Sequence, residues 1–284
     1  MKKVIALVLT VVLSAACFAA CGSKDDKEKV LAKVLEVNLS DEEYAFGVDK
    51  DQADLLQQVN EIIDQMMSDG TYDEICSHYF GEGTPVAVKS GELDTGKKQL
   101  VVATNAAFEP FEYKNGNDYY GIDMEIAAII AEKTGRELVI QNMDFDAVCL
   151  SVGQHKCDIA MAGLTVKAER EEFVTFSKSY YVASQKLIVR TDDKKFDDCK
   201  TVEDVEKILN SFDSKTKIGV QNGTTGKLYC EGDEDMGFAG LKVTVKGYKN
   251  GSLAVQDLLN GNIDYVIIDS APAKCITDAI NKTR

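Results

Sequence analysis

Leu100-Val-Val-Ala-Thr104, Ile122-Asp-Met-Glu-Ile-Ala-Ala-Ile-Ile-Ala-Glu-Lys-Thr134 and Glu137-Leu-Val-Ile-Gln141 decide how this 284-residue sequence folds. The first and third are short apolar runs of strand length, and the second is a helix that Gly135 stops. A strand, a helix and a second strand in that order make a βαβ unit. Phe145–Gly153, a short helix, and Cys157–Ala162, a further strand, extend the pattern. The reading predicts a mostly parallel sheet with helices on both faces.

After Gln185–Arg190, read as a strand, the same grammar begins again. A capped helix is predicted at Thr201–Phe212, strands at Lys217–Val220 and Leu241–Val245, a helix at Ser252–Leu259 and a strand at Ile263–Ile268. Two α/β units without a residue-level repeat are two lobes rather than a solenoid. Upstream, Gln52–Met67 places Leu55, Leu56, Val59, Ile62, Ile63, Met66 and Met67 at helical spacing before Ser68-Asp69-Gly70. Thr71-Tyr72-Asp73-Glu74 reads as a capping box opening a short helix that runs through Phe80 to Gly81. Residues 81–98 carry Gly, Thr, Ser, charge and Pro85 without a sustained period, as a linker does.

The start of the chain is a leader. Lys2-Lys3, the apolar run Val4 to Leu13 and small residues up to Cys17 and Cys21 follow signal-peptide grammar over residues 1–20. Val4 to Cys21 comes close to the roughly 20 apolar residues of a membrane span, so an uncleaved anchor is the competing reading. The formal charge is −15, and loss of Lys2 and Lys3 with the leader leaves −17. A surface so acidic excludes nucleic acid as a partner and is repelled by anionic headgroups, so membrane residence has to come from an anchor.

Six cysteines remain beyond Cys17 and Cys21: Cys76, Cys149, Cys157, Cys199, Cys230 and Cys275. An oxidising exterior permits disulfides, but a core of this size does not need them and spacing assigns no connectivity, so buried free thiols are the favoured reading. With only His78 and His155 in the chain, no zinc-ligand spacing is present, and no metal or cofactor is expected.

Several stretches resemble known families. Phe18-Ala-Ala-Cys21-Gly-Ser23 is similar to the lipobox of bacterial lipoproteins, which implies a diacylglycerol thioether on Cys21. Ser14-Ala-Ala-Cys17 is the rival, but only Cys21 is followed directly by a flexible charged tether, so residues 21–29 are read as that tether. Ala-Thr-Asn-Ala-Ala-Phe-Glu-Pro-Phe-Glu-Tyr (103–113), Tyr-Gly-Ile-Asp-Met-Glu (120–125), Gly-Leu-Thr-Val-Lys-Ala-Glu-Arg (163–170), Gly-Val-Gln-Asn-Gly-Thr-Thr (219–225) and Asp264-Tyr-Val-Ile-Ile-Asp269 resemble the polar amino-acid-binding proteins of ABC importers. They follow the family's order over most of residues 99–280. The resemblance implies an α/β periplasmic-binding-protein-like type II fold of two lobes, a Venus flytrap. It also implies a free amino acid as ligand and an ABC permease as partner, outside the cytoplasm.

One segment stands out of order. Asp41-Glu-Glu-Tyr-Ala-Phe-Gly-Val48, the Leu55–Met67 helix and Asp69-Gly-Thr-Tyr-Asp-Glu-Ile75 look like the family's C-terminal end, yet here they come first. A circular permutation is the expected explanation, since domain termini are often close and a longer closing loop costs only about 0.6 kcal/mol per doubling of length. Lobe 1 then takes residues 44–81 and 99–185, lobe 2 takes 30–43 and 186–284, and 82–98 is the permutation linker. A monomer follows, with a domain-swapped dimer as the alternative.

A free amino acid needs an anion clamp, an acidic partner and a side-chain pocket. Arg170 can give its carboxylate two parallel hydrogen bonds. The resemblance implies that Gly163 and Thr165 complete that clamp, that Thr224 and Thr225 approach it from the second lobe, and that Asp269 takes the ammonium. It implies further that Phe108 and Phe145 sandwich the ligand side chain and that Asn105 stands at the first loop, where some family members carry an acid for cationic ligands and an uncharged amide argues against lysine or arginine. Glu109, Glu112 and Gln141 are open candidates for the pocket. Closure is expected about Glu43–Tyr44 and Ser184–Lys186. Two other classes stay in view on this fold: an enzyme of the cyclohexadienyl dehydratase kind, for which no paired acid and base is visible, and a sensor that reports the ligand to a receptor.

Overall fold

The computed structural model describes residues 31–283, so the leader, Cys17, Cys21 and the tether lie outside the described residues. In chain order the elements are β1 (Ala32–Val34), β2 (Glu42–Tyr44), β3 (Gly47–Asp49), α1 (Ala53–Asp69), α2 (Thr71–Phe80), β4 (Gln99–Thr104), β5 (Ala107–Phe108), β6 (Glu112–Asn115), β7 (Asp118–Tyr120), α3 (Ile122–Lys133) and β8 (Glu137–Asn142). A 3₁₀ turn at Phe145–Ala147 leads into α4 (Val148–Gly153), then β9 (Ile159–Ala160), α5 (Ala168–Glu171), β10 (Val174–Phe176), β11 (Tyr181–Ala183) and β12 (Gln185–Arg190). The rest is α6 (Val202–Leu209), β13 (Lys217–Gln221), α7 (Thr225–Glu231), β14 (Thr244–Tyr248), α8 (Gly251–Leu259), β15 (Tyr265–Asp269) and α9 (Ser270–Thr283).

Two five-stranded sheets organise the molecule, in the orders β10-β3-β9-β4-β8 and β1-β12-β15-β13-β14. Neither is mostly parallel, although the strand–helix alternation predicts that each should be. In the first, β4 runs parallel to β8 and β9, while β3 is antiparallel to both of its neighbours. In the second, β13 runs parallel to β14 and β15, while β12 is antiparallel to both of its neighbours. The reason lies in how β3 and β12 arrive. Each follows a strand that crosses between the sheets, β2 and β11 respectively, so neither needs the helical crossover that parallel neighbours require. The two crossing strands pair with each other, Glu42 opposite Ala183 and Tyr44 opposite Tyr181.

The segment before residue 82 is built into both bodies. Leu55, Val59, Ile62, Ile63 and Met66 of α1 are buried in one core with Ile126 and Ile130 of α3. Met67, expected on that stripe, is 44% exposed, because it lies at the edge of the apolar arc. The capping box at Thr71 does not form. Gly70, at φ 85°, ends α1 and precedes α2, so Thr71 is already helical and its amide donates to Asp69 Oδ1 at 3.0 Å. Gly81 closes α2 in an extended rather than left-handed conformation. Thr201, by contrast, caps α6 through a reciprocal pair with Asp204.

Other boundaries shift for physical reasons. The apolar run Leu241–Val245 enters the sheet only at Thr244, because the Leu241 amide bonds the Cys230 carbonyl and Leu241 and Val243 pack on the second core from a loop. Within Cys157–Ala162 only Ile159–Ala160 is paired as a strand. Part of the 81–98 linker is pinned along the first lobe, with Val88 bridged to Tyr119 and the Gly91 amide on the Leu138 carbonyl. Ser270–Thr283, which carries no predicted element, is a helix against β1, β12 and β15.

Candidate functional site

The loops at the carboxyl ends of the parallel strands face each other across the gap between the sheets, where open α/β sheets present ligands. From the first sheet come the turn after β4 with Asn105 and Phe108, the turn after β8 with Phe145, and the turn after β9 with Gly163 and Thr165. α5 adds Arg170. The second sheet supplies Thr224 and Thr225 after β13, and Asp269 at the end of β15. Phe108, Phe145, Gly163, Thr165, Arg170, Thr224, Thr225 and Asp269 line one cavity. Eight of the nine expected residues therefore converge, from six separate segments. The cavity has room for about one water molecule, since the lobes are closed over it.

Gly163 is required where it is. At φ 55° its backbone is left-handed, and a Cβ there would stand 3.1 Å from the Phe108 ring and 3.2 Å from the Tyr44 ring. Its amide donates to Asp123 Oδ2 at 2.9 Å, and Asp123 Oδ1 accepts from the Tyr180 hydroxyl at 2.6 Å. Asp123 is fully buried, and burial pushes its carboxyl up to about 7 against those two hydrogen bonds.

Arg170 is half-buried and spans the cleft. Its Nη1 donates to the Thr165 carbonyl at 2.7 Å and its Nη2 to the Gly223 carbonyl of the opposite lobe at 3.1 Å. The guanidinium also lies 5.3 Å from the centre of the Phe145 ring, within cation–π range. The Thr165 and Thr225 hydroxyls meet at 3.1 Å across the same gap. Thr224 precedes α7, but its hydroxyl donates back to the Gln221 carbonyl and does not cap the helix.

Asp269 accepts from the Tyr44 hydroxyl at 2.6 Å. Burial, then the charge of Glu42, pushes its carboxyl up to about 7, outweighing the Tyr44 bond. Asn105 is outside the cavity lining but beside it. Its Nδ2 donates to the Met143 carbonyl and its Oδ1 accepts from Gln221 Nε2 of the second lobe. Glu109 is exposed and Gln141 half-buried, and neither lines the cavity. Glu112 is buried with both oxygens unpartnered, and burial, then Asp123 and Asp269, pushes its carboxyl well up.

Three polar residues of this region are not among the expected site residues. Glu42 is 4% exposed and accepts from the Ser40 hydroxyl, Gln185 Nε2 and the Thr165 hydroxyl, tying the crossing strand to both lobes. Period-two alternation was the available signal, because Glu42 and Tyr44 share the inward face of β2 while Glu43 points out. Gln185 stands at a strand start, where one polar residue carries no pattern of its own, while Gln221 at a strand end lies within the 219–225 motif, which was the available signal. Elsewhere, Asp49, Asp51 and His155 form the one group of metal-type side chains found among the described residues, held by a 2.8 Å contact between His155 Nδ1 and Asp49. All six described cysteines are free thiols, with Cys149, Cys157 and Cys230 buried.

A model of the bacterial extracellular solute-binding proteins, family 3, matches residues 100–264. The chain belongs to that family. Among family relatives, the arginine-binding extracellular protein ArtP of Bacillus subtilis (strain 168) is 36% identical over 99 residues, which is 35% of this chain and 39% of ArtP. The octopine-binding periplasmic protein of Rhizobium meliloti is 26% identical over 208 residues, 69% of this chain and 68% of the relative. An ancestral arginine-binding protein bound to arginine superimposes with a TM-score of 0.54 at 32% identity, over 64% of this chain and 75% of that one. The ancestral amino acid-binding protein AncCDT-1, a precursor of cyclohexadienyl dehydratase, gives 0.54 at 29% identity over the same shares. The fold is the type II periplasmic-binding-protein architecture of this family. Among the described residues no helix is long and apolar enough to cross a membrane.

Proposed function

We propose that this protein is the extracytoplasmic receptor of an ABC importer and closes its two lobes on a free polar amino acid. The observation that carries the reading is the convergence of eight expected residues, from both sheets, on one cavity that holds a half-buried guanidinium and a buried carboxyl. Relatives named as arginine-, histidine- and octopine-binding proteins support it. Neither Glu109 nor Glu112, the carboxyls that could be conscripted as a general acid by an eliminating enzyme, borders the cavity.

In this mechanism the paired crossing strands β2 and β11 flex first, since a space for one water molecule admits no amino acid. Arg170 then exchanges the Thr165 and Gly223 carbonyls for the ligand's carboxylate, which offers two oxygens in one plane. Closure brings Asp269 onto the ammonium and Thr225 onto the same ligand. A micromolar complex corresponds to about 8 kcal/mol, and only contacts unique to the closed form bias the lobes toward it. Cys21 carries the lipid that keeps the receptor at the membrane, and the charged tether separates it from the fold.

The family segment that normally ends such chains here precedes them. Residues 31–81 give an edge strand to one sheet and an inner strand to the other, consistent with a circular permutation joined through residues 82–98. The tether then leaves from the second lobe. A thermal-shift screen of the mature chain against the twenty amino acids tests the proposal. Stabilisation by one chemical group, lost in Arg170→Ala and Asp269→Ala, is the expected result; a folded protein indifferent to all of them rejects it.

A further inference from the structure

Gln221 ends β13 and Asn105 follows β4, so each stands directly before a loop that lines the cavity, one on each lobe. Their amides meet across the cleft, Gln221 Nε2 donating to Asn105 Oδ1 at 3.1 Å. Gln221 is 1% exposed and Asn105 8%. Asn105 is held by its second bond, Nδ2 to the Met143 carbonyl at 2.6 Å. Gln221 Oε1 has no partner, and neither has the hydroxyl of Thr104, the residue before Asn105. Buried polar atoms are rarely left in that state, and an orphan acceptor at the margin of a ligand cavity calls for a donor from the ligand.

We infer that the ligand's side chain ends at the Asn105–Gln221 pair, and that the preferred ligand is an amino acid with an uncharged side chain bearing both a donor and an acceptor, a primary amide foremost. The inference rests on the receptor function proposed above and deepens it. A primary amide matches the vacant valences on both counts: its N–H satisfies Gln221 Oε1, and its carbonyl accepts the remaining amide hydrogens of Asn105 and Gln221.

A cation finds no counter-charge at that end. Among the described residues neither amide has a charged hydrogen-bond partner. Asp144 and Asp146, the acids on the neighbouring turn, are exposed. The buried acids are committed elsewhere: Glu42 to three donors, Asp123 to two, Asp269 to the Tyr44 hydroxyl, Glu125 to His78, Tyr79 and the Val86 amide, and Asp49 to His155 and the Asp51 amide. Glu112 lacks any donor, and burial, then Asp123 and Asp269, pushes its carboxyl well up, which disfavours the charged form a cation would need. An anionic side chain competes for Arg170, and an apolar one leaves Gln221 Oε1 orphaned. Because the two amides come from opposite lobes, the side chain is read at closure rather than at first contact.

Calorimetric titration of the mature chain with glutamine, asparagine, arginine, lysine and glutamate, in wild type and in Gln221→Glu, is the test. Glutamine or asparagine is expected to bind at least tenfold more tightly than arginine or lysine. Gln221→Glu is expected to weaken the amide ligand at least tenfold and to raise affinity for the basic ones. Gln221→Met, near-isosteric and uncharged, is expected to weaken the amide ligand without that gain, and it answers the question if Gln221→Glu does not fold. A wild-type preference for arginine, lysine or glutamate overturns the inference, as does an unchanged ranking in a folded variant, while receptor function stands. No binding of any amino acid by folded wild type overturns both.

Discussion

β1 and β3 are both three-residue strands from the first fifty positions, yet they enter their sheets at unequal depth. β3 has a partner on each side and all three of its residues are buried. β1 is an edge strand with one partner, and of its residues only Ala32 is buried. An inner strand holds its sheet together through both of its ladders, whereas an edge strand adds one ladder and a few side-chain anchors, here Asn281 bonding the Ala32 amide and carbonyl. On the permutation proposed above, the new chain end falls on the strand whose loss costs least.

Equal charge insertions sharpen this contrast and produce the largest effect expected. Val48→Asp places a carboxylate in the middle of the first core, where Val48 is fully buried, and about 3–5 kcal/mol of unfolding free energy should be lost, as for any uncompensated buried charge. Val34→Asp, half-buried on the edge strand, should cost about 1 kcal/mol or less. Urea unfolding of both variants checks the pair. Equal losses would break the comparison by making the edge strand as essential as the inner one.

The next effect in size concerns binding rather than folding. Arg170→Ala removes the group that bonds carbonyls of both lobes. Affinity for the amino acid should fall at least about 100-fold, close to 3 kcal/mol, while urea stability shifts by less than about 1 kcal/mol because the side chain is only half-buried. Calorimetry and unfolding of the same preparation separate the two readouts. A variant that keeps its affinity removes Arg170 from the site.

What the sequence disclosed follows the same division. The βαβ units centred on β4, α3 and β8, and on β14, α8 and β15, are legible because apolar periods report burial on one face. The antiparallel entries of β3 and β12 are not, because strand direction depends on where the chain comes from and leaves no mark on composition. Seven of the eight residues that line the cavity are legible through motifs, some of which hold several of them at fixed spacing, and only Phe145 stands outside those motifs. Glu42 and Gln185 are lone polar residues in short strands, and Gln221, although inside the 219–225 motif, is buried where Asn105 of the opposite lobe meets it. Thr71 shows the limit of local pattern from the other side: its capping box reads well, but α1 ends so close that Gly70 has taken the position.

Acid–base behaviour distinguishes the lobes more finely. Asp123 in the first and Asp269 in the second are both held near 7, chiefly by burial, above an ordinary value of 3.8. The folded state thus binds these protons more tightly than the unfolded chain. The stability they contribute is complete below the ordinary value and is lost as pH rises through about 7. The melting temperature of protein prepared without amino acid should decline by several degrees from about pH 5 to about pH 8. Asp269→Asn and Asp123→Asn should each flatten that decline. A profile that stays flat over this range would show that the two carboxyls are already ionised in the closed form.

Tyr44→Phe is the smallest change and the most local. Tyr44 belongs to the crossing strand, not to either main sheet, and its hydroxyl reaches Asp269 at the end of β15. Removing it deletes one buried hydrogen bond without altering the ring packing against Phe111 and Tyr181, at a cost of about 1 kcal/mol in urea unfolding. A second consequence has a fixed sign. The Tyr44 bond lowers the Asp269 pKa against the upward push of burial, so the phenylalanine variant should hold its proton to higher pH. The fall in melting temperature then moves toward alkaline pH in Tyr44→Phe and is weakened in Asp269→Asn. In the double variant the Tyr44 effect on the profile should vanish, because no titrating carboxyl is left for the phenol to act on. A shift that survives in the double variant would mean that Tyr44 sets the pH response through the strand pairing of β2 and β11 rather than through Asp269.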